Sequence, residues 1–232
     1  MCSFRTTECP SEIILLPVIP ETSIDPGPLD RPGRLLGDAA GRQAVAEESE
    51  AAAVAADGAL IDSSTGAALR FLAAVLRAKA VVEVGTGTGD SARWLLAGMA
   101  PSGLLTSIDL DPTAQRIARE ALAADGVPRS RTRFITGLAD QVLPRLAEGA
   151  YDLMFVDAAP SGYPMYLEVG SRLLRPGGAI VFAGTNPPET ADRHDSRAAA
   201  LRELTQAIRA DEGLVPVALP VGDGLLAVAR SI

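Results

Sequence analysis

The nine residues Glu83-Val84-Gly85-Thr86-Gly87-Thr88-Gly89-Asp90-Ser91 decide how the rest of the chain is read. They follow a short apolar run, residues 80–84, that predicts a buried strand, and they lead into a helix through Trp94 and Leu95. Glycines at alternate positions between a strand and a helix let the backbone approach a ligand and take up conformations that side chains forbid. The helix that follows offers free N–H groups and a positive dipole end, so a carboxylate or phosphate belongs there, and Ser91 adds a hydroxyl. Asp109 lies twenty residues beyond Gly89, at the tip of a second predicted strand over 104–108. An acid in that place can grip both hydroxyls of a ribose.

The same alternation continues outward. Helices are predicted over residues 64–77, 112–124, 138–146, 163–174 and 195–210, and strands over 133–136, 151–156 and 179–182. Pro176-Gly177-Gly178 is read as the stop of the helix before it. Strands alternating with helices imply an α/β fold, a doubly wound parallel sheet covered on both faces. The end departs from that rhythm: strands over 214–219 and 225–229 flank Gly222-Asp223-Gly224, an antiparallel hairpin. The beginning departs too. Six of the 17 prolines fall between Pro10 and Pro32, so residues 1–36 read as an irregular leader, 37–59 as an Ala/Glu-rich helical extension and 60–232 as the domain proper.

Composition narrows the function. Net charge is −8, of which residues 1–60 carry −6 and the remaining 172 carry −2, so nothing favours a nucleic-acid partner and a small molecule is expected. No apolar run reaches the roughly 18 residues of a membrane helix, so no membrane partner is expected. Cys2 and Cys9 fit neither a disulfide scaffold nor a zinc site, which suits a reduced, cytoplasmic setting. His194 is the single histidine and Lys79 the single lysine.

Two ligands suit the glycine turn, a dinucleotide and S-adenosylmethionine. The dinucleotide pattern G-x-G-x-x-G would need its third glycine at Asp90, and an acid there faces a pyrophosphate badly. The spacing therefore favours S-adenosylmethionine. A turn with no ligand is the bland alternative, and Asp109 with the terminal hairpin counts against it.

With Ser107-Ile-Asp-Leu-Asp111, Phe155-Val-Asp-Ala158, Leu173-Leu-Arg-Pro-Gly-Gly178 and Leu219-Pro-Val-Gly-Asp-Gly-Leu-Leu226 added to the glycine stretch, residues 60–232 resemble the class I methyltransferases. They are most similar to the small O-methyltransferases of the catechol and caffeoyl-CoA type, above all the short actinobacterial ones. The resemblance implies a Rossmann-like methyltransferase sheet ordered 3-2-1-4-5-7-6 and S-adenosylmethionine-dependent methyl transfer to an oxygen. It also implies contacts to the methionine part from Gly85, Thr86, Gly87, Gly89 and Ser91, and ribose binding by Asp109. Gly137 and Ala139 would line the adenine pocket, with Asp140 near the base, and Asp157 would sit beside the sulfonium. Glu83 would either orient the loop through backbone N–H groups or touch the cofactor. Relatives often form homodimers, partly through N-terminal helices.

The chain departs from its relatives where their metal and base sit. Relatives carry Asp-Ala-Asp-Lys, then two tyrosines; here the run is Asp157-Ala158-Ala159-Pro160, with Tyr163 and Tyr166 in step. Relatives carry Asp-Asn after the fifth strand; here Ala183-Gly184 stands, so one of three expected ligands, Asp157, remains, and Asn186 is a remote replacement. A divalent metal is therefore not expected. A phenol of pKa about 10 lies three units from its anion at pH 7, about 4 kcal/mol, and here neither metal nor lysine lowers that cost. Three outcomes stay open: an already acidic acceptor, another base, or binding without catalysis. His194, in the loop after the fifth strand, is the candidate base, against a plain solvated histidine. Tyr163, Tyr166 and Trp94 read as packing, and Arg129, Arg131 and Arg133 as a solvated strand edge. The rival functions are a non-catalytic S-adenosylmethionine-binding protein and an NAD-dependent oxidoreductase.

Overall fold

The computed structural model describes residues 61–186 and 196–232. The expected leader, the extension over 37–59 and His194 lie outside these residues. In chain order the elements are α1 (Ser63–Val75), β1 (Ala80–Val84), α2 (Asp90–Gly98), β2 (Leu104–Asp109), α3 (Pro112–Ala124), β3 (Thr132–Thr136), α4 (Ala139–Val142), β4 (Tyr151–Val156), α5 (Tyr163–Leu173), β5 (Leu174–Ala183), α6 (Ser196–Ala210), β6 (Leu214–Leu219) and β7 (Leu225–Arg230). The seven strands form one sheet in the order β3-β2-β1-β4-β5-β7-β6. The first five are parallel, and β7 pairs antiparallel with both β5 and β6.

Period-two alternation on the strands builds two cores. Val81, Leu105, Leu153, Phe155 and Val181 face α1, α2 and α3 through Leu69, Leu95 and Leu122. Val82, Val84, Met154, Val156, Ile180 and Phe182 face the other way, onto Leu167 and Leu173 of α5 and Leu204 and Ile208 of α6. Helix starts are set by side-chain caps. Asp62 accepts the N–H of Ser64 at 2.8 Å for α1, and Asp111 accepts that of Thr113 at 2.7 Å for α3, with Pro112 in its first turn. Trp94 packs its indole against Gly66 of α1, where any larger side chain would collide with the ring.

Three local expectations are corrected. The single helix expected over 138–146 is one turn of α-helix, α4, followed by a 3-10 turn Leu143–Arg145, because Pro144 cannot donate in a continuing helix. Pro176-Gly177-Gly178 does not stand outside the strand as a helix stop. It lies within β5, in a bulge where the register jumps from Tyr151↔Leu174 to Leu153↔Ala179, and Gly177 has φ +72°. Arg131 is not a solvated edge residue: its guanidinium donates to the carbonyls of Leu96, Ala100 and Gly103 and closes the end of α2.

Candidate active site

Strand order reverses direction at β1, which has β2 on one side and β4 on the other. In open α/β sheets the crevice at such a point, beyond the carboxyl ends of the strands, is where ligands sit. A cleft of about 460 Å³ opens there, lined by Gly85, Asp109, Gly137, Ala139, Asp140, Asp157 and Tyr166 among others. Five of the ten residues expected to hold the cofactor thus share one cavity. A second hollow of about 390 Å³ lies between Arg119, Val127 and Phe134, away from the strand tips, and holds neither the glycine loop nor the strand-tip acids.

The glycine loop is held at both ends. The N–H of Gly85 donates to Ile108 O and that of Asp157 to Val84 O, each at 2.9 Å, which ties the tips of β2, β1 and β4 together. Gly85 has φ +94°, and a Cβ there would strike the carbonyl of Asp157. The loop then drapes over Asp109, whose Oδ2 accepts the N–H of Thr86 at 2.7 Å and of Gly87 at 3.1 Å. Its Oδ1 accepts the N–H of Asp111 at 2.9 Å. A carboxylate has about four acceptor positions. Three are taken, so Asp109 braces the loop and has room for about one ribose hydroxyl unless an N–H yields.

Behind the loop lies a buried polar network. Glu83 occupies a position on the apolar face of β1 and is fully buried. Its two oxygens accept the hydroxyls of Ser91 and Ser107, each at 2.5 Å. Ser107 Oγ lies 2.7 Å from Thr86 Oγ1, and the Gln115 amide adjoins Thr86 and donates to Ile135 O at 3.0 Å. Thr136 donates its hydroxyl to Gln115 Oε1 at 2.7 Å. Glu83 therefore reaches the loop through serine hydroxyls, rather than through loop N–H groups. Burial above all raises its carboxyl to about 7, with the charges of Asp157 and Asp109 adding to it and the two serine hydroxyls opposing it. Ser107 and Gln115 escaped the sequence reading. Both are polar residues at core-facing positions, Ser107 in phase with Leu105 and Gln115 in phase with Ala118 and Leu122, and that mismatch was the signal.

At the tip of β4 the cleft is lined by Asp157, open to the cavity on one side. Burial of its other side, and then the charge of Asp223 in the terminal hairpin turn, raise its carboxyl above the usual range. Tyr163 is buried, donates its hydroxyl to Ala183 O at 2.7 Å and packs at 5.0 Å on Phe182, so it is a packing residue. Its hydroxyl is pushed up to about 12, by burial first and by Asp157 next. Tyr166 lines the cleft with its ring over Gly162, and burial followed by the charge of Asp140 raises it. Neither phenol is set up to become a phenolate. Arg197 donates to Gly184 O, beside the place where relatives hold metal ligands. Thr185 and Asn186 donate their N–H groups to Gly224 O and Asp223 O, which fixes the hairpin tip against the end of β5. Among the described residues no three His, Cys, Asp or Glu side chains are grouped as a metal site would require. Asp157 has Asp223 of the hairpin turn as a neighbouring acid, and Ala183 and Gly184 supply no side-chain oxygen. Among the described residues, the positions that hold further ligands in relatives thus carry no side-chain oxygen.

Residues 45–231 match the O-methyltransferase family. A provisionally named O-methyltransferase of Mycolicibacterium vanbaalenii is 50% identical over 175 residues, which is 73% of this chain and 76% of that one. A solved, cofactor-bound protein from MTB has TM-score 0.73 and 29% identity, covering 85% of this chain and 93% of its own. The O-methyltransferase from Bacillus cereus, solved with SAH, has TM-score 0.71 and 24% identity over 81% and 91% of the two chains, a likeness of fold. Loop, acid, sheet order and sequence agree: the chain belongs to the O-methyltransferase family, and its chemistry is S-adenosylmethionine-dependent methyl transfer.

Proposed function

We propose that the acceptor is an oxygen of a small molecule, already acidic or readily ionised, and that transfer proceeds without a resident divalent metal. The observation that carries this reading is the strand-tip donor set, Asp157 with Ala183 and Gly184 in place of further ligands. S-adenosylmethionine would supply a methyl group on a sulfonium: the acceptor oxygen's electron pair would form the new O–C bond while the S–C bonding pair passes to sulfur, leaving the neutral thioether. The protein's part is placement. Gly85, Thr86, Gly87, Gly89 and Ser91 hold the methionine part, Asp109 the ribose, and Gly137 and Ala139 the adenine. Asp157 would sit beside the sulfonium end. Alignment of the two reactants supplies several kcal/mol by itself. The acceptor's proton goes to solvent, to His194 or to Asp157, whose raised carboxyl makes it a better base than an ordinary carboxylate.

Calorimetric binding of S-adenosylhomocysteine in EDTA and in magnesium, followed by a screen of acidic hydroxyl compounds, tests this. Micromolar binding is expected in both buffers, with loss of a hundredfold or more in Asp109→Ala and none for NAD. Turnover abolished by EDTA and restored by magnesium would reject the metal-free reading. Loss of turnover in His194→Gln with binding intact would identify the base. A homodimer is part of the same proposal, supported by Phe71 and Val75, which stand 64% and 62% exposed on α1, and sedimentation tests it. No described helix is long and apolar enough to cross a membrane; a cytoplasmic setting is proposed on the cysteine usage.

A further inference from the structure

The two edges of the sheet are built differently. At β6 the register with β7, and the bond from the Ser231 N–H to Gly213 O, turn the backbone groups of residues 214, 216 and 218 outward. Pro216 stands in the middle of that row, and its ring removes the central donor, so this edge is closed to a further strand. At β3 the Gly137 N–H donates to Asp109 O, and the Gln115 amide, which also adjoins Ser107 O, donates to Ile135 O, so residues 135 and 137 face β2. Successive residues of a parallel strand present their N–H and C=O to alternate sides. The N–H and C=O of Phe134 therefore face outward, flanked by the carbonyl of Thr132 and the N–H of Thr136. The Thr132 N–H returns to Arg129 O. No proline and no bulge interrupts β3.

The hollow of about 390 Å³ adjoins this open edge, between β3 and α3. Leu122, Val127 and Phe134 give it apolar walls, and Arg119 and Arg129 stand at its rim. The Arg119 guanidinium lies 4.9 Å over the Phe134 ring. Arg133 is exposed on the opposite face of the same strand. We propose that β3 and the hollow beside it form a docking site for an extended acidic peptide segment of a partner protein, which adds to the sheet as a further strand.

Three features of the edge select that partner. The outward backbone groups at 132, 134 and 136 bind any extended chain through main-chain bonds. The hollow takes an apolar side chain from that chain, because side chains of a strand alternate between the two faces. Charge then decides the sequence around it. Arg119, Arg129 and Arg133 are all exposed, and none forms an ion pair with a described residue, in a chain of net charge −8. Acids on either side of the apolar residue meet these guanidiniums. A second copy on the same edge would instead bring three further guanidiniums against these three. The site lies away from the strand-tip cleft and owes nothing to the cofactor.

The test is fluorescence anisotropy of a fluorescein-labelled Glu-Val-Glu-Leu-Glu-Val peptide, titrated with the whole protein. Saturable binding is expected. It should weaken about tenfold or more when lysine replaces glutamate in the peptide, and when Arg119→Glu and Arg133→Glu are combined in the protein. The lysine peptide should regain affinity for that variant, whose fold is checked by a urea melt. The peptide backbone gives the sharper readout. Only alternate residues of an added strand aim their N–H groups at β3. N-methylation of one alternate set is therefore expected to abolish binding, and of the other set to leave it intact. Equal effects from both sets would reduce the contact to charge alone and overturn the proposal, as would no binding at millimolar protein. An apparent affinity that falls as protein concentration rises would show a second copy on the edge and overturn it too.

Discussion

Gly85 shows how little freedom the site leaves a single residue. Its φ of +94° disfavours any side chain, and its missing Cβ is the space occupied by the Asp157 carbonyl. Gly85→Ala should therefore lose about 3 kcal/mol or more of stability, in a urea melt, by combining backbone strain with a displaced β4 tip. Gly87, with φ +48° and open space around it, meets the first penalty and escapes the second, so alanine there should cost less. Asp109 was legible in the sequence as an acid at a strand tip. That it would spend three of about four acceptor positions on backbone N–H groups was not, because the loop's path over it depends on glycine dihedrals that residue identity leaves undetermined.

At the scale of elements, α5 shows how a motif can survive while its role changes. Tyr163 keeps step with the family pattern, but its hydroxyl is spent on Ala183 O, joining α5 to the end of β5. Tyr163→Phe should cost about 1 kcal/mol, since it orphans one buried carbonyl, and should leave cofactor affinity and turnover near wild type. A drop of a hundredfold in turnover with stability unchanged would make Tyr163 chemical after all. The alternation of elements was readable because strand and helix periods differ. Where the reading slipped, at 138–146 and at Pro176-Gly177-Gly178, local proline and glycine signals were overridden or sharpened by pairing with neighbouring strands.

Across the whole sheet, Asp152 is a brace from β4 to β1 and β5. It accepts the N–H groups of Lys79 and Ala80 at 2.7 and 2.9 Å and the Arg175 guanidinium at 2.7 Å. Burial raises its carboxyl, but the Ala80 N–H and Arg175 outweigh that and leave it below the ordinary value of 3.8. A carboxyl depressed by folding stabilises the fold above that value and stops doing so as pH falls through it. Wild type should thus lose stability more steeply than Asp152→Asn below about pH 4, in denaturant midpoints, with the size tempered by solvent around the 38% exposed Arg175. The order 3-2-1-4-5-7-6 has another consequence, for synthesis. β7 is the last of the seven strands to be made, yet it lies inside the sheet, and β6 has no other partner. While the ribosome is still adding residues 225–230, β6 can only wait, and β5 presents a bare apolar edge. The closing of this sheet is a late, long-range event, and the nascent chain is most open to edge-to-edge aggregation just before it.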